Sequence, residues 1–214
     1  MSKNLVAFWG WAAGDRSHQS IQSSSPKNFN IVKIDYPSLM SKSDIRGFKH
    51  RVANHLQEMG IHSFSLLGHS LGGGLAIDFA AEYPDMVDHL YLLDTIGISG
   101  KKKLINTAIH IFERQPKHDA GPKMKLKDFL WRVIRTPIFH ARLAHFAYNS
   151  NLEFEARNIK SPTTIFWGEE DQVIPVAFGQ RLQTLIPDSE LIIFPKLKHD
   201  WIKFYPELFW QNVR

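Results

Sequence analysis

Six short apolar runs punctuate the chain: NLVAFW (4–9), NIVKID (30–35), HSFSLL (62–67), HLYLLD (89–94), PTTIFW (162–167) and ELIIF (190–194). Their hydrophobicity is nearly continuous instead of alternating, the pattern of strands covered on both faces. Between them the spacing changes to three and four. Over 44–59, Ile45, Phe48, Val52, Leu56 and Met59 share one helical face, closed by Gly60. A second helix opens in LGGGLAIDFAAEYP (71–84) and stops at Pro84. Strand and helix in alternation predict βαβ units, and so an α/β fold with a doubly wound, mostly parallel sheet of about six strands.

The rhythm breaks between the fourth and fifth runs. Residues 97–160 separate two strands by far more than an ordinary crossover and read as helical pieces interrupted at Pro116, Pro122 and Pro137. We read this segment as a helical cap inserted into a sheet domain made of residues 1–96 and 161–214, a division that suits a length of 214 residues. Phe129, Trp131, Phe139, Phe146 and Tyr148 within it either line an apolar tunnel or seat the cap on its domain. MSKNLVAFWGWAAG at the N-terminus superficially resembles a short signal peptide, but serves better as the first strand. No apolar run is long enough for a membrane span, and the expected location is the cytoplasm.

Composition changes this picture in two places. The chain has no cysteine, which removes thiol nucleophiles and thiolate metal sites and leaves serine to be searched. Its net charge of +5 is unevenly placed. Residues 100–160 hold 13 Lys and Arg against five acids, a net +8, which leaves 13 basic against 16 acidic residues elsewhere. Such clustering permits recognition of an anionic substrate or an acidic carrier protein as well as a plain solvated face. No nucleic-acid-binding module accompanies it.

Gly68-His69-Ser70-Leu71-Gly72 fits G-x-S-x-G and sits between a predicted strand and a predicted helix, the context of a nucleophile elbow. A tight strand-to-helix turn strains the serine backbone, and side chains at 68 and 72 would collide with neighbouring backbone. A serine hydroxyl needs a base, and the base an orienting carboxylate. His199 is the one histidine beyond the last predicted strand; His89, His110, His118, His140 and His145 lie earlier. Asp171, in the WGEEDQVIP segment after the fifth run, is the leading acid, with Glu169, Glu170 and Asp94 as competitors. Backbone amides of Trp11 and Leu71 are placed to stabilise an oxyanion. Trp11, Ser70, Asp171 and His199 all fall just beyond carboxyl ends of predicted strands, where open parallel sheets bind ligands.

Through GHSLGG, the order Ser70, Asp171, His199, and the FWGW and WGEEDQVIP segments, the chain resembles the α/β-hydrolase superfamily over nearly its whole length. The resemblance implies that the first run corresponds to the third strand of the family. It also implies a serine hydrolase acting on a small carboxylic ester with neither a metal nor an organic cofactor. Trp9-Gly10 stands where the family usually has His-Gly, and Asp200 stands where an aromatic residue usually follows the histidine. Serine at 70 disfavours the dehalogenase and epoxide hydrolase branches. The pimeloyl-acyl-carrier-protein methyl ester esterases are a similar branch with a basic cap. Carbon–carbon bond hydrolysis, a lyase step, acyl transfer and a non-catalytic binding role on the same fold remain alternatives.

Overall fold

All six apolar runs form strands, with ends displaced by at most two residues from the sequence-based ranges: β1 (Lys3–Phe8), β2 (Phe29–Lys33), β3 (Phe64–His69), β4 (Val87–Leu93), β5 (Thr163–Gly168) and β6 (Ser189–Phe194). The structure is a computed structural model, and it describes residues 2–10, 14–35, 38–39, 47–98, 131 and 134–213. β3 runs further than expected because Gly68 and His69 still pair with Leu92 and Leu93 of β4. Every pairing is parallel, in the order β2-β1-β3-β4-β5-β6. Strand order reverses between β1 and β3, and a crevice opens at the carboxyl edge of such a reversal.

The helices are α1 (Gly14–Ser23), α2 (Phe48–Glu58), α3 (Leu71–Glu82), α4 (Pro137–Asn149), α5 (Glu153–Arg157), α6 (Ala177–Leu185) and α7 (Pro206–Trp210). α2 buries Phe48, Val52 and Leu56 as the spacing predicts, but Met59 lies beyond its end and is exposed. Ile45 lies outside the described residues.

Successive strand residues feed two separate cores, which is why the runs do not alternate in polarity. Val6, Phe8, Leu66, Leu90, Leu92, Ile165 and Trp167 pack on one face with α2, α3 and α6. Leu5, Ala7, Leu67, Tyr91, Leu93 and Phe166 pack on the other with Ile21 of α1, Trp201, Ile202 and Phe209 of α7. Helices on both faces of a parallel sheet make the expected doubly wound α/β architecture.

Much of the segment expected as a cap, including Phe129 and the Phe139 side chain, lies outside the described residues. Of its described part, Leu143, Leu152, Ala156 and Ile159 are buried in the first core, against α3. Phe146 packs beside them, whereas Trp131 and Tyr148 are exposed. Among the described residues no helix is long and apolar enough to cross a membrane.

Candidate active site

The turn from β3 into α3 places Ser70 in the left-handed region, at φ +56°. For a residue with a Cβ that conformation is strained and needs external support. Support comes from the neighbouring strand. The Ser70 N–H donates to the Leu93 carbonyl at 2.9 Å. The Ser70 carbonyl accepts from the Gly73 N–H at 3.0 Å, the Ile96 N–H at 3.1 Å and the Thr95 hydroxyl at 3.2 Å. Glycine at 72 is required because a Cβ there would fall on the Phe8 carbonyl. Glycine at 10 is required for a different reason: its Cβ would stand 2.9 Å from Cβ of Ser70 itself.

Leu71 opens α3, so its N–H belongs to the first turn, which has no partner within the helix. An N–H in that position lies at the positive end of the helix dipole. Trp11, the expected second amide, lies outside the described residues.

The loops after β5 and β6 are tied to each other. Glu169 N–H donates to Phe194 O at 3.0 Å, Glu170 N–H to Leu197 O at 2.9 Å, and Asp171 N–H back to Gly168 O at 3.1 Å. The tight turn leaves Glu169 and Glu170 exposed and folds Asp171 inward. One Asp171 oxygen accepts the Val173 and Ile174 N–H groups at 2.7 and 2.9 Å. The other lies 2.8 Å from Nδ1 of His199, whose Nε2 is 2.9 Å from Oγ of Ser70. A carboxylate only accepts, so Nδ1 carries the hydrogen, and Nε2 of the neutral ring is left to accept the serine proton. Ser70, Asp171 and His199 are therefore brought together; Glu169 and Glu170 are not.

His199 and His69 lie with ring centroids 5.2 Å apart and titrate in opposite directions. Burial alone would lower His199, but the charge of Asp171 and the hydrogen bond to it outweigh burial, helped by Asp200 and Asp94, and hold the ring above the ordinary imidazole value. His69 has no carboxylate partner, so burial, reinforced by the nearby His199, pushes it down to about 3. His69 is therefore neutral near pH 7. Its Nε2 lies 3.1 Å from the His199 carbonyl, which only accepts, so Nε2–H donates there. The residue before Ser70 thus grips the backbone of the histidine that contacts the Ser70 hydroxyl.

Asp200, the departure noted in the sequence, pairs with Lys203 at 2.8 Å. Burial would raise its carboxyl, but Lys203 and the two histidines hold it down at about 2. Asp94 is fully buried at the end of β4, also with positive φ, +43°. One of its oxygens accepts the Gly168 N–H at 2.9 Å. Burial and then the charge of Asp171 raise its pKa well above the ordinary value.

His69, Asp94 and His199 also have donor atoms within 4.8 Å of one another. Nε2 of His69, one Asp94 oxygen and both His199 nitrogens are already engaged in the contacts above. Of the remaining histidines, His89 lies at the opposite edge of the sheet, His145 is on α4 and exposed, His140 is on α4 and buried, and His110 and His118 lie outside the described residues. The His69 contact was hard to foresee because its partner is a backbone carbonyl, which leaves no mark in the sequence.

Comparison with known proteins accords with this fold. A profile of the α/β hydrolase fold matches residues 22–119. The chain is 22% identical to a 2-hydroxy-6-oxononadienedioate/2-hydroxy-6-oxononatrienedioate hydrolase of a Pseudomonas species, covering 89% of this chain and 76% of that one. It is 26% identical to lipase 1 of Psychrobacter immobilis, over 73% of this chain and 57% of the lipase. Among solved structures, an esterase from Exiguobacterium antarcticum superimposes with a TM-score of 0.74 at 18% identity, covering 99% of this chain and 90% of the esterase.

Proposed function

We propose that the chain is a serine hydrolase of the α/β-hydrolase superfamily that cleaves a carboxylic ester through an acyl-enzyme. Ser70 Oγ attacks the acyl carbon while His199 Nε2 takes its proton, and Asp171 stabilises the imidazolium that forms. The Leu71 amide, with the amide expected of Trp11, holds the oxyanion of the tetrahedral intermediate. His199 then returns the proton to the departing alcohol, and water repeats the sequence on the acyl-enzyme. The carrying observation is the unbroken chain from Asp171 through His199 to Ser70, at 2.8 and 2.9 Å.

In this reading residues 97–160 form the cap that selects substrate. The net +8 of residues 100–160 favours an anionic substrate, free or linked to an acidic carrier protein. A fluorophosphonate probe tests the nucleophile directly: wild-type protein is labelled and Ser70→Ala is not. Equal labelling of the two, or none of a folded wild type, overturns the proposal.

A second reading is hydrolysis of a carbon–carbon bond on the same three residues. It is favoured by the likeness to hydrolases named for an oxo-dienedioate, a compound with a ketone and two carboxylates but no ester. A panel of p-nitrophenyl esters of rising chain length separates the two. Turnover that Ser70→Ala abolishes supports ester cleavage, and negligible turnover with intact probe labelling supports the second reading.

A further inference from the structure

Asp94 is a buried carboxyl that the proposed mechanism leaves unused, and it stands beside the base. A carboxyl oxygen of Asp94 and a ring nitrogen of His199 lie within 4.8 Å of each other. Its attachments differ from those of Asp171. One oxygen is held by the Gly168 N–H, which ties the end of β4 to the start of the acid loop, while the second has no hydrogen-bond partner. The Trp201 indole N–H faces the carboxyl without completing a hydrogen bond.

We propose that Asp94 is a reserve acid for His199, able to stabilise the imidazolium when Asp171 no longer carries its charge. This rests on the Ser70–His199–Asp171 reading above. Two carboxylates in one buried pocket do not both ionise readily, so the better-bonded one holds the charge. Asp171 accepts two backbone N–H groups and the imidazole N–H. Asp94 accepts one N–H and has no exposure to solvent. With Asp171 ionised, Asp94 is therefore neutral, a tether and nothing more. Removing the Asp171 charge removes one of the two causes that hold Asp94 neutral. The positive charge that develops on His199 during attack then favours Asp94 ionisation across less than 5 Å of poorly solvated space. The groups facing Asp94 in this exchange are Asp171, His199, the Gly168 N–H, the Trp201 N–H and the His69 ring.

The test is the rate of fluorophosphonate labelling in wild type, Asp94→Asn, Asp171→Asn, the double variant and His199→Ala, with melting temperatures for each. Asn keeps the oxygen that accepts from Gly168, so Asp94→Asn should label within about 2-fold of wild type. Asp171→Asn should slow labelling by about 10²-fold, yet remain above His199→Ala. The double variant should lose about a further 10-fold. Beyond the acid limb set by His199, the rate in Asp171→Asn should climb a second time with pH as Asp94 ionises, and the double variant should keep the first limb and lack the second, a loss that a purely structural role would not produce. Asp94→Ser repeats the comparison if the Asn variant melts without cooperativity. A double variant no slower than Asp171→Asn overturns the reserve role and leaves the triad reading intact. Asp94→Asn as slow as Asp171→Asn also overturns it, because Asp94 is then needed in the unaltered site. Wild-type labelling by His199→Ala or Asp171→Asn overturns the parent reading and the inference with it.

Discussion

The two edges of the same sheet carry polar side chains on very different terms. At the amino edge His89, Thr164 and Glu190 form a ladder across β4, β5 and β6. His89 Nε2 donates to the Thr164 hydroxyl at 2.9 Å, and that hydroxyl donates to Glu190 at 3.1 Å. Nearby, the Ser63 hydroxyl reaches both oxygens of Asp88 at 2.6 Å. At the carboxyl edge Ser70 and Asp94 have left-handed backbone, and His69, Asp94 and Asp171 are buried beside half-buried Ser70 and His199. His69 and Asp94 each keep a buried polar atom without a hydrogen-bond partner. The amino edge is not free of either feature, since Asp188 has positive φ and the buried Ser161 hydroxyl is unpartnered; what distinguishes the carboxyl edge is that there such groups adjoin a chain of hydrogen bonds that converges on a hydroxyl.

Substitutions at the two edges should separate activity from stability. The largest effect is expected from Ser70→Ala, which should lower turnover of any accepted substrate by roughly 10³-fold or more without lowering the melting temperature. Asp171→Asn should lower kcat by about 10²- to 10⁴-fold, with the protein still folded by circular dichroism. Because the Asp171 charge helps hold His199 above the ordinary imidazole value, the acid limb of kcat/KM for the wild type should lie above pH 6.5 and should move to lower pH in this variant. A wild-type limb at or below 6.5 would break that account.

His69→Gln should cost less, about 3- to 10-fold in kcat, in line with one lost hydrogen bond of about 1 kcal/mol. Its stability signature has a definite sign. Folded His69 has a pKa lowered to about 3 from the ordinary 6.5, so its neutral burial stabilises the fold fully above pH 6.5. That contribution is lost as pH falls from 6.5 towards 3, because the unfolded chain binds a proton that the folded chain refuses. His69→Gln should accordingly lose less stability than wild type across that window in urea titrations. The smallest effect on activity belongs to the amino edge: Thr164→Val should cost roughly 1–2 kcal/mol of stability and leave kcat and KM unchanged. A drop in kcat there would erase the contrast between the edges.

Much of the fold was legible because its strands are buried on both faces, so that NLVAFW and HLYLLD stand out as apolar blocks. The elbow was legible because the collision at Gly72 leaves a glycine in the sequence. Asp171 could be ranked above Glu169 and Glu170 but not separated from them, since the turn that points it inward is set by backbone bonds to Gly168, Val173 and Ile174. The sequence leaves Asp94 as a rival acid; in the structure it accepts from Gly168, and Asp171 occupies Nδ1 of His199. The grip of His69 on His199 and the closeness of Gly10 to Ser70 join positions far apart in sequence, and neither shows in local spacing.

The pairing of β4 with β5 has a consequence for synthesis. Leu93 and Phe166 are neighbours in the sheet, but residues 94–165 must leave the ribosome before they can meet. Ser70 is made long before Asp171 and His199, and closing so long an interval delays the contacts that complete the sheet. The nascent chain therefore reaches a length at which β1 to β4 have been made while the partner of β4, Asp171 and His199 have not. During that stage the unpaired side of β4 is a ready template for wrong partners, and the same delay keeps the hydroxyl chemically inert until its setting is finished.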